Sequence, residues 1–225
     1  MNGPATAFEP LSRRALDAPS PPSGWGESLA RLSACAENRI GCRAVIFLDL
    51  PRVLRAALDP VYRTWLAGQI LLPAGRLAAA LLGLVRPGQP VASLVPHRFV
   101  PSLLTFMEHS RHILLIGPDS ARLEAARDRF RAHAPWHVFS VIVLETTVCG
   151  RARSAMDGAI ERLGADVVIA DAGDPETEIR LQTYLSYRHD GLVLLAQPAF
   201  AAGAGSARGG VRLIAGVNRL FARKL

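Results

Sequence analysis

Between residues 112 and 195 the chain alternates strand-length runs with helix-length segments, and this rhythm restricts the folds open to it more than any other feature. The spacing predicts strands at 112–116, 137–144, 166–170 and 192–195, separated by helices at 120–133, 151–162 and 175–187. Strands joined by helices of ten or more residues form a parallel sheet with crossover helices. The run Ala44 to Leu48 is continuously apolar, as expected for a strand covered on both faces. Beyond it the sequence predicts helices at 51–58 and 60–67, each opened by proline, a short extended segment at 69–72, and helices at 75–84 and 99–108. The expected fold class is α/β, a single Rossmann-like domain with a parallel sheet flanked by helices.

Composition sets the boundaries. Residues 1–40 carry Pro4, Pro10, Pro19, Pro21 and Pro22 among Ala, Ser and Gly, too little apolar surface to offset the entropy of ordering. They are expected to be a disordered tail, with a short helix near 28–37. The domain is expected at 41–200. A glycine-rich link follows at 201–210, and Val211 to Leu225 is a basic helix with Leu213, Ile214, Val217, Leu220 and Phe221 on one face. That pattern fits an anionic membrane surface, or alternatively a last helix packed on the sheet.

The formal charge is +7, and all but one of the 26 basic residues are arginine, the exception being Lys224. These arginines interleave with Asp and Glu and form no recognition motif, so nucleic acid is not an expected partner. Three scattered cysteines, Cys35, Cys42 and Cys149, argue for a reducing compartment rather than a disulfide framework. No charged segment followed by an apolar one opens the chain, and the most apolar run, 69–85, is short for a bilayer span. A cytoplasmic location follows. His109 with His112, and His133 with His137, lack the geometry and neighbours of a metal site, so no metal is expected.

Ligands of open α/β sheets bind at the carboxyl ends of the strands. There the sequence offers Asp49, the turn Ile116-Gly117-Pro118-Asp119-Ser120, and the segment Asp171-Ala172-Gly173-Asp174 ahead of a helix opened by Pro175. Asp49, Asp171, Asp174 and Glu178 are the carboxylates available as general bases toward a sugar hydroxyl. For any one of them, a helix cap or a solvated charge is the more ordinary reading.

In order along the chain stand Asp59-Pro-Val-Tyr-Arg63, Ile70-Leu-Leu-Pro-Ala-Gly75, His112-Ile-Leu-Leu-Ile-Gly117, Gly164-Ala-Asp-Val-Val-Ile169 and Gly173-Asp-Pro-Glu-Thr-Glu178. This ordered set, over roughly residues 43–200, resembles the bacterial WecG/TagA/CpsF glycosyltransferases of surface polysaccharide and teichoic acid synthesis. The resemblance implies transfer from a UDP-sugar to a polyprenyl-diphosphate-linked acceptor, with inversion and with no cofactor. It implies nucleotide-sugar contacts from Gly117, Asp171, Gly173, Thr177 and Glu178, and it brings either a partner glycosyltransferase or the lipid-linked glycan as partner. Pro73 and Gly75 match the ends of the family's Pro-Asp-Gly, but its proposed base is Ala74 here. Thr177 replaces a glutamine, and Ala201 replaces an aspartate. Activity is therefore expected to be reduced or lost unless Asp49 or His97, the nearest replacements in sequence, supplies the base. The alternatives are a silent family member acting as regulator or scaffold, and an unrelated Rossmann-like binding domain.

Overall fold

The computed structural model describes residues 24–39, 41–85, 92–144, 160 and 162–200. The expected helices at 151–162 and 211–225 fall largely or wholly outside them. Six strands, β1 (Cys42–Leu48), β2 (Ile70–Pro73), β3 (His112–Gly117), β4 (Val138–Val143), β5 (Val167–Ala170) and β6 (Gly191–Leu195), form one sheet in the order β2-β1-β6-β5-β3-β4. Every pairing is parallel. The helices are α1 (Trp25–Asn38), α2 (Leu50–Leu58), α3 (Pro60–Ala67), α4 (Arg76–Val85), α5 (Pro96–Phe106), α6 (Ser120–His133), α7 (Pro175–Ser186) and α8 (Gln197–Phe200).

The continuous apolar runs are explained by burial on both faces. Val45, Phe47, Ile113, Leu115, Val167 and Leu194 point into a core shared with α1, α5, α6 and α8. Their neighbours Ile46, Leu114, Ile116, Val168 and Val193 point into a second core, closed by Tyr62 and Leu66 of α3 and by Leu181 and Leu185 of α7. The fold is thus the expected α/β Rossmann-like sandwich of helices on a parallel sheet.

The short helix expected near 28–37 is present as α1, but residues 24–39 belong to the folded domain rather than to a disordered tail. Helix α1 begins at Trp25, and Leu29, Leu32 and Ala36 enter the first core. Trp25 meets Phe99 edge to face at 5.2 Å between ring centres. Arg39 then fastens the end of α1 to the strand bases, donating to the carbonyls of Asp190 and Ala165 at 3.3 Å. The apolar spacing 29, 32, 36 carries this contact, and the proline-rich composition around it hides the signal. Helix α5 also starts earlier than expected, at Pro96, a favoured first-turn residue.

Burial pushes the Cys42 thiol up to about 11, so it is not a thiolate nucleophile at neutral pH. Two histidines at the amino ends of strands are buried neutral. His137 accepts from the Arg111 amide (3.0 Å) through Nδ1, which leaves the proton on Nε2 facing the Leu104 carbonyl at 2.8 Å. His189 lies beside Arg39, and its Nε2 is buried without a hydrogen-bond partner among the described residues. Burial lowers both below the usual imidazole value of 6.5. The unfolded chain therefore binds more protons than the native one just below pH 6.5, and stability rises with pH through that window. Urea midpoints are expected to fall as pH drops from 7 to 5, with a shallower fall in His189→Asn; identical slopes in the two proteins would remove His189 from the cause.

Candidate functional site

A cleft of about 360 Å³ opens at the carboxyl ends of β1, β6 and β5. Its position follows from the topology. The chain leaves β1 and β5 toward the α3/α7 face and leaves β6 toward the α8 face, and neighbouring strands whose exits diverge part to form a crevice. Among its walls are Asp49, Arg52 and Arg55 from the start of α2, and Gly173, Asp174 and Glu178 around the start of α7. Gln197 closes the β6 side, donating Nε2–H to the Gly173 carbonyl at 3.2 Å.

Each carboxylate in this cleft is already engaged. Asp49 caps α2, its Oδ1 accepting from the Arg52 amide at 3.0 Å while Oδ2 meets the Arg52 guanidinium at 3.1 Å. Asp174 caps α7, accepting the amides of Glu176 (2.9 Å) and Thr177 (3.0 Å) and the Thr177 hydroxyl (2.6 Å). The Thr177 bonds hold the Asp174 carboxyl below its usual range. Glu178 is buried and receives two guanidinium donors of Arg52, Nε at 3.3 Å and an Nη at 3.1 Å. Burial pushes the Glu178 carboxyl up, against the pull of Arg52. Beneath them the hydroxyl of the fully buried Tyr62 has no hydrogen-bond partner among the described residues.

The remaining candidate residues lie elsewhere. Asp171 ends β5 but turns toward α6, pairing with Arg122 at 3.1 Å and accepting the Gly173 amide at 3.2 Å. Gly117 is enclosed: a Cβ there would come within 3.2 Å of both the Asp171 Cβ and Leu123, so its glycine serves the close approach of β3 and β5. Neither residue lines the cleft, and Thr177 stays in its cap. His97 sits exposed in the first turn of α5 and lines a separate groove with Trp25, Arg98, Phe106 and His133. Asp49 and His97, the two replacement bases, are therefore not brought to one cavity. Ala74 follows β2 and donates its amide to the Leu48 carbonyl at 2.7 Å, with its methyl packed against the first core.

Three residues that shape the cleft escaped sequence reasoning: Arg52, Arg55 and Gln197. Arg52 has a local signal, since a residue three positions after an N-cap Asp can return to its carboxylate. Its bond to Glu178, 126 positions away, has none. Arg55 stacks over the Tyr62 ring at 4.9 Å and stays partly exposed, making it the cation of the cleft with donors to spare. Among the described residues no three His, Cys, Asp or Glu side chains gather as a metal site. No described helix is long and apolar enough to cross a membrane. Set against known proteins, the chain matches no family model and no curated protein.

Proposed function

We propose that the protein is a catalytically silent relative of the WecG/TagA/CpsF glycosyltransferases, serving bacterial surface-polysaccharide synthesis by binding a UDP-sugar or a partner transferase rather than by transferring sugar. One observation carries this reading: Asp49, Asp174 and Glu178 are all committed to caps or to Arg52, and the family's base position is Ala74. A general base contributes roughly 10²- to 10⁴-fold in rate, and a carboxylate that caps a helix or faces a guanidinium is poorly disposed to take a proton. The cleft keeps the size of a small-molecule site. Its helix N-termini are already capped by aspartates, so Arg55 is left as the main contact for a diphosphate.

UDP binding is accordingly expected to be weak, with Kd above about 0.1 mM, and to weaken further in Arg55→Ala. A flat calorimetric titration to millimolar UDP would count against a retained nucleotide site and leave partner binding as the role. With a polyprenyl-diphosphate-linked acceptor and a panel of UDP-sugars, turnover should stay far below the roughly 1 to 10³ per second of ordinary enzymes. Turnover inside that range would overturn the silent reading, and Asp49→Asn would then show whether Asp49 supplies the base.

A further inference from the structure

Helix α2 turns apolar side chains outward as well as inward. At 3.6 residues per turn, Pro51, Leu54, Ala57 and Leu58 share one face, the stripe that a surface helix normally turns toward the core. Here that stripe faces solvent, and none of the nine residues of α2 is buried. Leu54 is 56% exposed and Leu58 is 85% exposed, and Val61, across the junction with α3, is 75% exposed. The inner side holds Val53 and Ala56, packed against the second core, and Arg52, kept there by Asp49 and Glu178. The helix is therefore apolar on two sides, and the outer one has no cover among the described residues.

The shape and charge of this corner select what can cover it. The α2 and α3 helices meet at Asp59, so Leu58 and Val61 project from a convex edge. The hollow beside them, formed by Pro60, Val61, Thr64 and Trp65, is an open dish. It offers no deep pocket for the buried aromatic or arginine anchors on which protein interfaces depend, whereas acyl chains need none. Arg63 is exposed and has no acidic partner among the described residues, and Arg55 is 40% exposed. The carboxylate at the corner, Asp59, is occupied by the Val61 and Tyr62 amides and by Arg55. A two-fold contact between copies would set these arginines against one another, and the chain as a whole carries +7. Anionic headgroups complement the same charges.

We propose that the α2–α3 corner is a membrane-interface contact, placing Leu54, Leu58 and Val61 among the acyl chains of an anionic bilayer with Arg55 and Arg63 at its headgroups. The inference rests on the outward placement of Leu54, Leu58 and Val61; it shares Arg55 with the cleft but needs none of the sugar chemistry proposed there. It also differs from membrane attachment through residues 211–225, which predicts different variant behaviour.

The test is flotation of the full-length chain with vesicles of phosphatidylcholine containing phosphatidylglycerol, and with phosphatidylcholine alone. The chain should float with the anionic vesicles and much less with the neutral ones. Partitioning should fall by roughly tenfold or more in Leu54→Ser/Leu58→Ser. Arg63→Glu should weaken binding to anionic vesicles only, and neither variant should change the melting temperature, since both alter exposed side chains. Wild-type flotation by Leu54→Ser/Leu58→Ser would overturn the proposal, as would its loss only when Leu213 and Phe221 are replaced by serine. Absence of flotation, with a dimer in light scattering that Leu58→Ser dissociates, would assign the corner to self-association instead.

Discussion

Replacing Gly191 with alanine is expected to cost about 3 kcal/mol or more of folding stability, the largest loss for so small a change in this protein. Gly191 opens β6 at φ +151°, a conformation that L side chains rarely adopt. A Cβ there would stand 2.5 Å from the Asp166 carbonyl oxygen and 3.0 Å from His189 Nε2. The carbonyl cannot simply retreat, because it accepts the Leu192 amide that begins the β5–β6 ladder. Asp166 is also tied to β3, donating its amide to the His112 carbonyl at 2.8 Å and accepting the His112 amide at 2.9 Å. The clash therefore falls where three strands and the Arg39 strap converge. At about 2–4 °C per kcal/mol for a domain of this size, melting should drop by roughly 6–12 °C. Gly26→Ala is the control: it lies in α1 with open space around it, and alanine there should add about 0.5–1 kcal/mol. Near-equal melting of Gly191→Ala and wild type would show that the base of β6 can shift to admit a methyl.

The sheet was legible because two-sided burial leaves a direct mark on sequence. Ala44–Leu48, Ile113–Ile116, Val167–Ala170 and Leu192–Leu195 are apolar at successive positions, since alternate residues of each strand enter opposite cores. Helix starts were legible wherever an aspartate and a proline or serine mark the cap, as at Asp49, Asp59, Asp119 and Asp174. Helix α1 was assigned to the tail because composition was averaged over a window dominated by prolines, while its contribution to the core rests on three spaced residues. The strand order β2-β1-β6-β5-β3-β4 was not legible at all, because it depends on which strand ends pair across long separations.

The candidate site was legible in position but not in state. Asp49, Gly173, Asp174 and Glu178 do meet around one cleft, because strand ends and helix starts converge there in any sheet of this kind. Whether a carboxylate is free, capping or ion-paired depends on partners far away in sequence. Arg122 lies 49 positions before Asp171, and it draws that aspartate out of the cleft. The outward apolar face of α2 could be seen as a stripe, but no local signal says which way a stripe points. That direction is set by Val53 and Ala56 against the second core together with Arg52, whose partner Glu178 lies on another helix.

Arg52→Ala should therefore be the most damaging change within the cleft, at about 3–5 kcal/mol, the usual result of stripping a buried charge of its partner. Glu178 is 3% exposed and would keep its carboxyl in the field of the Tyr62 hydroxyl, which has no hydrogen-bond partner among the described residues, with no guanidinium to face it. The Asp49 side of the pair contributes little, since that carboxylate is 37% exposed and water can replace the guanidinium. Removing both charges together, as in Arg52→Met/Glu178→Leu, should restore most of the loss, because apolar replacements of a buried pair are often neutral or stabilising. The effect has a pH signature. Without Arg52 the Glu178 carboxyl moves further above its ordinary 4.5, so the native variant holds a proton that the unfolded chain releases. Its stability falls as pH rises above about 4.5, and urea unfolding should show a smaller gap from wild type at pH 4 than at pH 7. If Arg52→Ala proved as stable as wild type at pH 7, water would have to reach Glu178. The cleft would then hold a solvated carboxylate, the group whose absence underlies the silent reading.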